Sequence, residues 1–420
     1  MCLTAVLLLS GCQGDNLKVV EPPQNAVTLR FCGFKVGKTK IEEIETILNK
    51  YMEQKNVVIV YEGIAENYND ILTKRLQSGY ADDLFMINTS MVTTYMNKGW
   101  CGTKIVDLSK QTFIEQYSPM VRRLITMEGK IPAVPMNLSV IGMLGNMDVL
   151  RACGIHEMPR TYEAWVQAME TVREHGYTPM VNYLGNNSSL SFLMAGRSVA
   201  PYVEGDKIAD ENTTALQVYT KGIADVYNLL DKGLLDRAQL ARETEARSYQ
   251  TVLGEQFAAG GVAFAVAPSW GLHAFLAGKP NFAYQYAGLP VGDKGPLTGV
   301  RASVLVAVNN ESAHAREAEA FLAYLMQPEH IENYAAEQTS LSPLKGARTE
   351  NPIFAEPLAQ IGAGLIFSDT DFRIPFNLTK LLNNASERMS RGEKLESILK
   401  QFAAEVEAAL AERKKESSRQ

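Results

Sequence analysis

Three strand-like apolar runs separated by helix-period segments open the body of the chain, and this alternation limits the fold more than any other feature. Val27-Thr28-Leu29-Arg30-Phe31-Cys32 puts Val27, Leu29 and Phe31 on one face of a strand. A loop with Gly33 and Gly37 leads to Ile41, Ile44, Ile47, Leu48, Tyr51 and Met52, spaced as the inward stripe of a helix. Val57-Val58-Ile59-Val60-Tyr61 is continuous and apolar, as in a parallel sheet covered on both faces. Residues 67–77 read as a second helix with Gly79 as its stop, and Leu84-Phe85-Met86-Ile87 is the third strand. Strand, helix, strand, helix, strand at this pitch predicts a doubly wound α/β sheet.

A second α/β unit follows. Residues 140–143 are strand-like, 147–153 are helical with Gly154 as stop, and Thr161 caps a helix running to His175. Residues 185–215, rich in Gly, Asn, Ser and Thr, read as loop and short helix, and 215–232 form a helix ended by Gly233. Val262-Ala263-Phe264-Ala265-Val266 is a strand, Leu289-Pro290 closes another, and Val304-Leu305-Val306-Ala307-Val308 is a third, before a helix over 317–326. The C-terminal third is helical, with Leu395, Ile398, Leu399, Phe402 and Val406 on one face.

Ahead of these units, Met1 begins a short apolar run that ends in Leu9-Ser10-Gly11-Cys12. Apolar, small, small, Cys in this position resembles a bacterial lipobox, in which Cys12 is lipidated and becomes the mature N-terminus. The run falls well short of the ~20 residues that span a bilayer core. It reads as a signal peptide over 1–12, although no Lys or Arg precedes it. Residues 13–26, polar and containing Pro22-Pro23, read as a flexible tether. The rest of the 420 residues suffices for two or three domains at ~150 residues each.

Composition narrows the partners. Net charge is −6 with dispersed basic residues, and Arg413-Lys414-Lys415 reads as a solvated tail, so no nucleic-acid partner is expected. No later segment has the 18 uninterrupted apolar residues of a membrane span. Cys32, Cys101 and Cys153 are far apart and lack a C-x-x-C spacing, which predicts buried small hydrophobes rather than a disulfide framework or zinc site.

Catalytic and cofactor motifs fail on inspection. Gly33-Phe34-Lys35-Val36-Gly37-Lys38-Thr39 follows a strand and opens a helix, but its glycines are one residue too close for a phosphate-cradling P-loop. His156-Glu157 lacks the second histidine of a zinc protease, the other histidines have no metal-ligand spacing, and no G-x-S-x-G elbow occurs. The carboxylate pairs Asp82-Asp83 and Glu42-Glu43 are adjacent residues that point apart, poorly placed for a glycosidase. No cofactor and no metal are expected.

Six segments in order carry a family resemblance. Ser78-Gly79-Tyr80-Ala81-Asp82-Asp83-Leu84-Phe85-Met86 is similar to an S-G-x-x-P-D-hydrophobic pattern, with Asp82 in place of Pro. Gly129-Lys130-Ile131-Pro132-Ala133-Val134-Pro135, then Gly145-Asn146-Met147-Asp148, looks like G-K-x-Y-x-x-P … Y-N-x-D. Gly154-Ile155 and Thr161-Tyr162-Glu163 are similar to G-I … P-x-T-W-x-E, with Pro159 displaced and Tyr162 for Trp. Gly260-Gly261-Val262-Ala263-Phe264 through Trp270 looks like G-x-A-A-M … G-x-W, and Ala287-Gly288-Leu289-Pro290 and the 317–325 helix match the late strand and helix. From about residue 26 to 410 the chain resembles the extracellular solute-binding proteins of ABC importers, in the carbohydrate-binding group that includes the maltose-binding protein.

The resemblance implies a periplasmic-binding-protein-like architecture of two α/β lobes, each a doubly wound sheet flanked by helices, with ligand in the cleft between them. Crossovers would fall near Leu138, 284–288 and Gln327, giving lobe one as 26–138 plus 289–327 and lobe two as 139–288 plus 328–415. It further implies a lipid-anchored monomer on the cell surface or in the periplasm that hands its solute to ABC permease transmembrane subunits. No bond is made or broken in this reading; the alternatives are an extracellular glycan-processing enzyme and a binder of a non-sugar polar solute.

Sugars demand aromatic rings for their C–H faces and side chains that both donate and accept for their hydroxyls. Trp270 matches the family's sugar-stacking tryptophan, and Phe34 follows the first strand where the family often places an aromatic. Glu62 and Asn88 follow the second and third strands at carboxyl ends, where ligands of open α/β sheets sit. Asn137 precedes the first hinge, and Tyr183, Tyr286 and Arg301 complete the candidates. Three tryptophans in all, with Ile87 and Ser90 where the maltose-binding protein has Trp and Asp, point away from maltodextrin and toward another mono- or oligosaccharide.

Overall fold

The computed structural model describes residues 26–184, 188–203, 216–242, 250–370, 374 and 376–417. The lipobox Cys12 and the tether as far as Asn25 lie outside the described residues. Among the described residues, β1 (Val27–Gly33), β2 (Val57–Gly63), β3 (Leu84–Ile87), β4 (Val134–Asn146), β5 (Thr178–Val181), β6 (Val262–Pro268), β7 (Tyr284–Ala287), β8 (Thr298–Val308) and β9 (Ile366–Phe367) join in one sheet. Its order is β2-β1-β3-β8-β4-β6-β5, with β7 beside β4 and β9 beside β8. The fold is mixed α/β, as the alternating strand and helix periods require.

The N-terminal group follows its sequence closely. β1 is parallel to β2 and β3, with Val27 opposite Val57 and Gly33 opposite Gly63. The helices Lys38–Gln54 and Tyr68–Ser78 are the crossovers that parallel pairing demands. Ile44, Ile47, Leu48 and Tyr51 are buried, and Tyr51 meets Phe321 with ring centroids 5.0 Å apart. At about 1.5–3 kcal/mol per fully buried large side chain, that stripe holds the helix on the sheet more firmly than propensity does. Gly79, at φ 74°, ends the second helix.

The first departure from expectation is continuity. β4 has 13 residues and β8 has 11, where the sequence predicted short strands over 140–143 and 304–308. They pair antiparallel from Val134 opposite Val306 to Ile141 opposite Gly299, so both halves of the molecule share one mixed sheet rather than two parallel ones. Pro135, Asn137, Ser139 and Gly142 interrupt the apolar pattern and hide the length of β4 from a periodicity reading. Val140 and Leu144 pack in the core that holds Phe31 and Leu305, whereas Ile141 and Met143 face a second core with Trp165 and Phe264. The pairing skips Val304, which has φ 45°, a rare conformation for a β-branched residue, and passes from Ser303–Asn137 to Leu305–Pro135.

The second half differs in two further places. Within 185–215, read as loop and short helix, the helix Ser189–Val199 has 11 residues and is buried along its whole length. Gly196 and Gly222 let it pack closely, since a side chain on the first would collide with Val291 and one on the second with the Met194 backbone. Leu289 forms only a bridge to Leu297, and the strand expected there lies earlier, as β7. Thr161 caps the helix Tyr162–Glu174, its hydroxyl accepting from the Ala164 N–H at 3.2 Å. Cys32, Cys101 and Cys153 are free and buried.

Candidate functional site

A cavity of about 650 Å³ opens where the middle of the β4–β8 ladder meets the carboxyl ends of β1 and β3. Phe34 and Lys35 follow β1; Asn88, Thr89 and Ser90 follow β3. Asn137 and Ser139 come from β4, and Arg301 and Ser303 are their register partners on β8. Trp270 enters from the first turn of the helix Ser269–Ala277, and Asn377, Lys380 and Asn383 from the helix Leu378–Ser390 and its start. Carboxyl ends of strands are where open α/β sheets leave room for ligands.

The lining is mainly neutral. Amides and hydroxyls dominate, Phe34 and Trp270 are its aromatic groups, and Lys35, Arg301, Lys380 and Glu387 are its charged ones. Arg301 is 7% exposed and bonds Asp369 twice, with Nε to Oδ1 at 2.8 Å and Nη2 to Oδ2. Its guanidinium also lies 4.8 Å from the Phe192 ring and 5.6 Å from the Trp270 ring. Those contacts orient Trp270, which further meets Phe192 edge-on at 6.4 Å. Lys35 Nζ donates to Gln338 Oε1 at 2.7 Å.

Two asparagines have unlike commitments. Asn88 caps the helix Thr89–Asn97: its Oδ1 accepts from Met91 N–H at 3.0 Å and from Ser90 Oγ at 2.6 Å, while Nδ2 donates to Asn69 Oδ1 at 3.1 Å. Asn137 is buried, donates through Nδ2 to Ser340 Oγ at 2.9 Å, and has no partner for Oδ1 among the described residues.

Five of the eight candidates from the sequence thus surround one cavity: Phe34, Asn88, Asn137, Trp270 and Arg301. Glu62, Tyr183 and Tyr286 do not line it. Glu62 is exposed and held by Arg75 Nη1 at 2.7 Å, which also binds the buried Asp82 at 2.7 Å. The hydrogen bond from Arg75 lowers the Glu62 carboxyl below its ordinary range. Tyr183 and Tyr286 are core residues whose hydroxyls donate to backbone carbonyls of β6, Val266 at 3.3 Å and Ala267 at 2.8 Å. Burial raises the Tyr286 phenol far above its usual range. A carboxyl-end position marks which strand end faces a ligand, yet a side chain there can still turn toward a neighbouring arginine.

The sequence reading missed the wall built by Asn377, Lys380, Asn383 and Glu387. A signal existed in the spacing: on one helix, residues 380, 383 and 387 form a polar stripe opposite the buried Leu381, Leu382 and Ala385.

Comparisons with known proteins place the chain. The family model described as bacterial extracellular solute-binding protein matches residues 46–360. A comparison with curated proteins finds no match. Among solved structures, a family 1 extracellular solute-binding protein from Bifidobacterium longum subsp. infantis is 17% identical, with TM-score 0.73, covering 92% of this chain and 99% of its own. RafE from Streptococcus pneumoniae in its apo form is 18% identical at TM-score 0.68, covering 93% and 100%. A sugar transporter of Bacillus licheniformis in complex with stachyose is 16% identical at TM-score 0.65, covering 90% and 99%. These likenesses concern the fold, and the match over 46–360 gives the lineage: this chain belongs to the bacterial extracellular solute-binding proteins, a family of binding proteins rather than enzymes.

Proposed function

We propose that this protein captures a carbohydrate in the cavity between two lobes and delivers it to the membrane subunits of an ABC permease. The observation that carries the reading is the lining itself: two aromatic side chains among amides and hydroxyls, with Arg301 already paired to Asp369. Aromatic faces take the C–H surfaces of pyranose rings, and amides and hydroxyls answer hydroxyl groups that donate and accept at once. RafE has also been solved in complex with raffinose, which agrees with a sugar. Trp270 and Phe34 would pack on rings, and Asn88, Asn137 and Arg301 would bond hydroxyls.

The lobe boundaries we infer are those of the sequence reading with one change. The second crossing is assigned to β8 rather than to 284–288, because β8 runs beside β4 through the cavity floor whereas β7 pairs with the far end of β4. Hinge closure would shift population toward a state in which both lobes touch the sugar. An affinity near micromolar, about −8 kcal/mol, suffices for capture and still permits release. Lipidation at Cys12 would confine the receptor and permease to one surface, raising effective concentration.

The test is a thermal-shift panel of raffinose, stachyose, chitin oligosaccharides and maltodextrins, with amino acids and short peptides as non-sugar solutes. Binding to the native state alone raises the melting temperature in proportion to ln(1 + [L]/Kd). A shift with one sugar supports the reading. A flat response to every sugar, or a shift with a non-sugar alone, overturns it.

A further inference from the structure

Two asparagines in the cavity wall share a hydrogen bond whose direction is fixed by the backbone. Asn88 follows β3 and caps the helix Thr89–Asn97, its Oδ1 accepting from the Met91 N–H at 3.0 Å. A backbone N–H only donates, so the atom facing it must be the amide oxygen, and the opposite flip of Asn88 is excluded. Ser90 Oγ donates to the same oxygen at 2.6 Å and fills its second lone pair. Nδ2 lies on the other side of the amide, where it donates to Asn69 Oδ1 at 3.1 Å.

The same logic passes one residue further. Because Asn88 presents an N–H, Asn69 must answer with its oxygen, which sets the flip of the second amide as well. Asn69 stands in the first turn of the helix Tyr68–Ser78, is exposed, and lines the cavity. Its neighbour Tyr68 meets the Phe34 ring edge-on at 5.5 Å and donates its hydroxyl to Met86 O, so that turn is held against the carboxyl ends of β1 and β3. Asn69 Oδ1 is thus engaged, whereas Nδ2 has no hydrogen-bond partner among the described residues.

We propose that Asn69 is a specificity-determining residue that donates from Nδ2 to a hydroxyl oxygen of the bound sugar, and that Asn88 is the positioning residue that orients it. The proposal rests on the carbohydrate reading above and sharpens it: one sugar hydroxyl is read as an acceptor. With both lone pairs of its oxygen filled, Asn88 itself has only one amide N–H left for a ligand. Lys35, after β1 in the same wall, likewise carries donors only. A sugar that lacks the matching oxygen leaves the Asn69 donor without a partner once closure excludes water.

Calorimetric titration of the best sugar of the panel, with its singly deoxygenated and deoxyfluoro derivatives, decides both parts. Asn69→Ala changes an exposed helix position, so the ligand-free melting temperature should stay near the parent's while sugar affinity falls about tenfold. In the parent one deoxy position should lose about tenfold, and in Asn69→Ala that same loss should vanish. The deoxyfluoro sugar at that position should lose less than the deoxy one, because fluorine accepts and cannot donate. Unchanged affinity in Asn69→Ala, or a deoxy penalty that persists there at every position, overturns the contact. A deoxyfluoro derivative no better than the deoxy one overturns the donor assignment.

Asn88→Asp tests the positioning role, since Asp caps a helix as well as Asn but lacks the N–H that holds Asn69. It should weaken the sugar several-fold in the parent and about threefold less in the Asn69→Ala background, a coupling that a purely structural role does not produce. Equal cost in both backgrounds overturns that role. If sugars bind and all these variants are indifferent, the inference fails and the carbohydrate reading stands. If only a non-sugar solute binds, the carbohydrate reading and the hydroxyl assignment both fail, and a panel in which nothing binds has the same result.

Discussion

Arg301 and Asp369, 68 residues apart, form a buried two-point pair at the edge of the cavity, and the same guanidinium faces the rings of Phe192 and Trp270. One arginine thus ties β8 to the segment after β9 and sets the plane of the aromatic residue most suited to a sugar. Thr379 adds a hydrogen bond from Oγ1 to Asp369 Oδ2 at 3.1 Å. Both charges are almost fully out of water, so their value lies in mutual satisfaction rather than in surface attraction.

Removing one partner of that pair strands the other. Asp369→Asn is expected to destabilise the fold by about 3–5 kcal/mol in urea unfolding, because the guanidinium keeps its charge and loses its counter-ion. Sugar affinity should fall as well, since Trp270 loses its fixed neighbour. A midpoint within experimental error of the parent would contradict this account.

Trp270→Ala is expected to weaken sugar binding by tenfold or more, roughly 1.4 kcal/mol or above, while circular dichroism stays that of the folded chain. Trp270 lines the cavity and sits only at the margin of the second core, so its loss opens no deep hole. Titration calorimetry with the sugar that stabilises the parent most provides the check. Unchanged affinity would remove Trp270 from the site.

Thr339 holds a conformation that costs a side-chain-bearing residue energy and costs glycine little. Thr339→Gly should therefore stabilise the protein by up to about 1 kcal/mol in chemical denaturation, whereas Thr339→Ala, which retains the Cβ, should not. Thr339 follows the helix Pro328–Glu337 and does not line the cavity, so sugar affinity should hold in both variants. Destabilisation by the glycine variant would mean that the hydroxyl or methyl of Thr339 matters more than its backbone.

The Glu62–Arg75 pair supplies a pH signature remote from the cavity. The folded-state pKa of Glu62 lies below its unfolded value near 4.5, held down first by the Arg75 hydrogen bond. A depressed carboxyl contributes stability that is fully present above the unfolded pKa and is lost as pH falls through the folded one. Glu62→Gln should thus leave the melting temperature at pH 7 lower than the parent's and shrink that difference below about pH 4.5. Sugar affinity at pH 7 should not change, because Glu62 does not line the cavity. An affinity loss would return Glu62 to the site.

Much of the fold was legible because it is encoded over short windows. The Ile44, Ile47, Leu48 and Tyr51 stripe, the Thr161 cap and the Gly79 stop each follow from neighbours within one or two turns. Trp270, Phe34, Asn88, Asn137 and Arg301 were within reach for a related reason: strand ends and family-matching segments can be found in one dimension. The polar stripe on the helix Leu378–Ser390 was in the sequence too, but nothing local says which solvent-facing stripe meets a cavity.

What the chain determined by itself is the N-terminal strands and helices, the Thr161 cap and an α/β architecture, since periodicity and turn chemistry act between residues near in sequence. Tertiary structure decided everything that depends on distant partners. Only the long register of β4 with β8 joins the two halves into one mixed sheet. Only packing against β6 turns the hydroxyls of Tyr183 and Tyr286 inward, and only Arg75 draws Glu62 to the surface. The same holds for Asn137: its residue type was visible, but its hydrogen-bond partner is a serine 203 residues away.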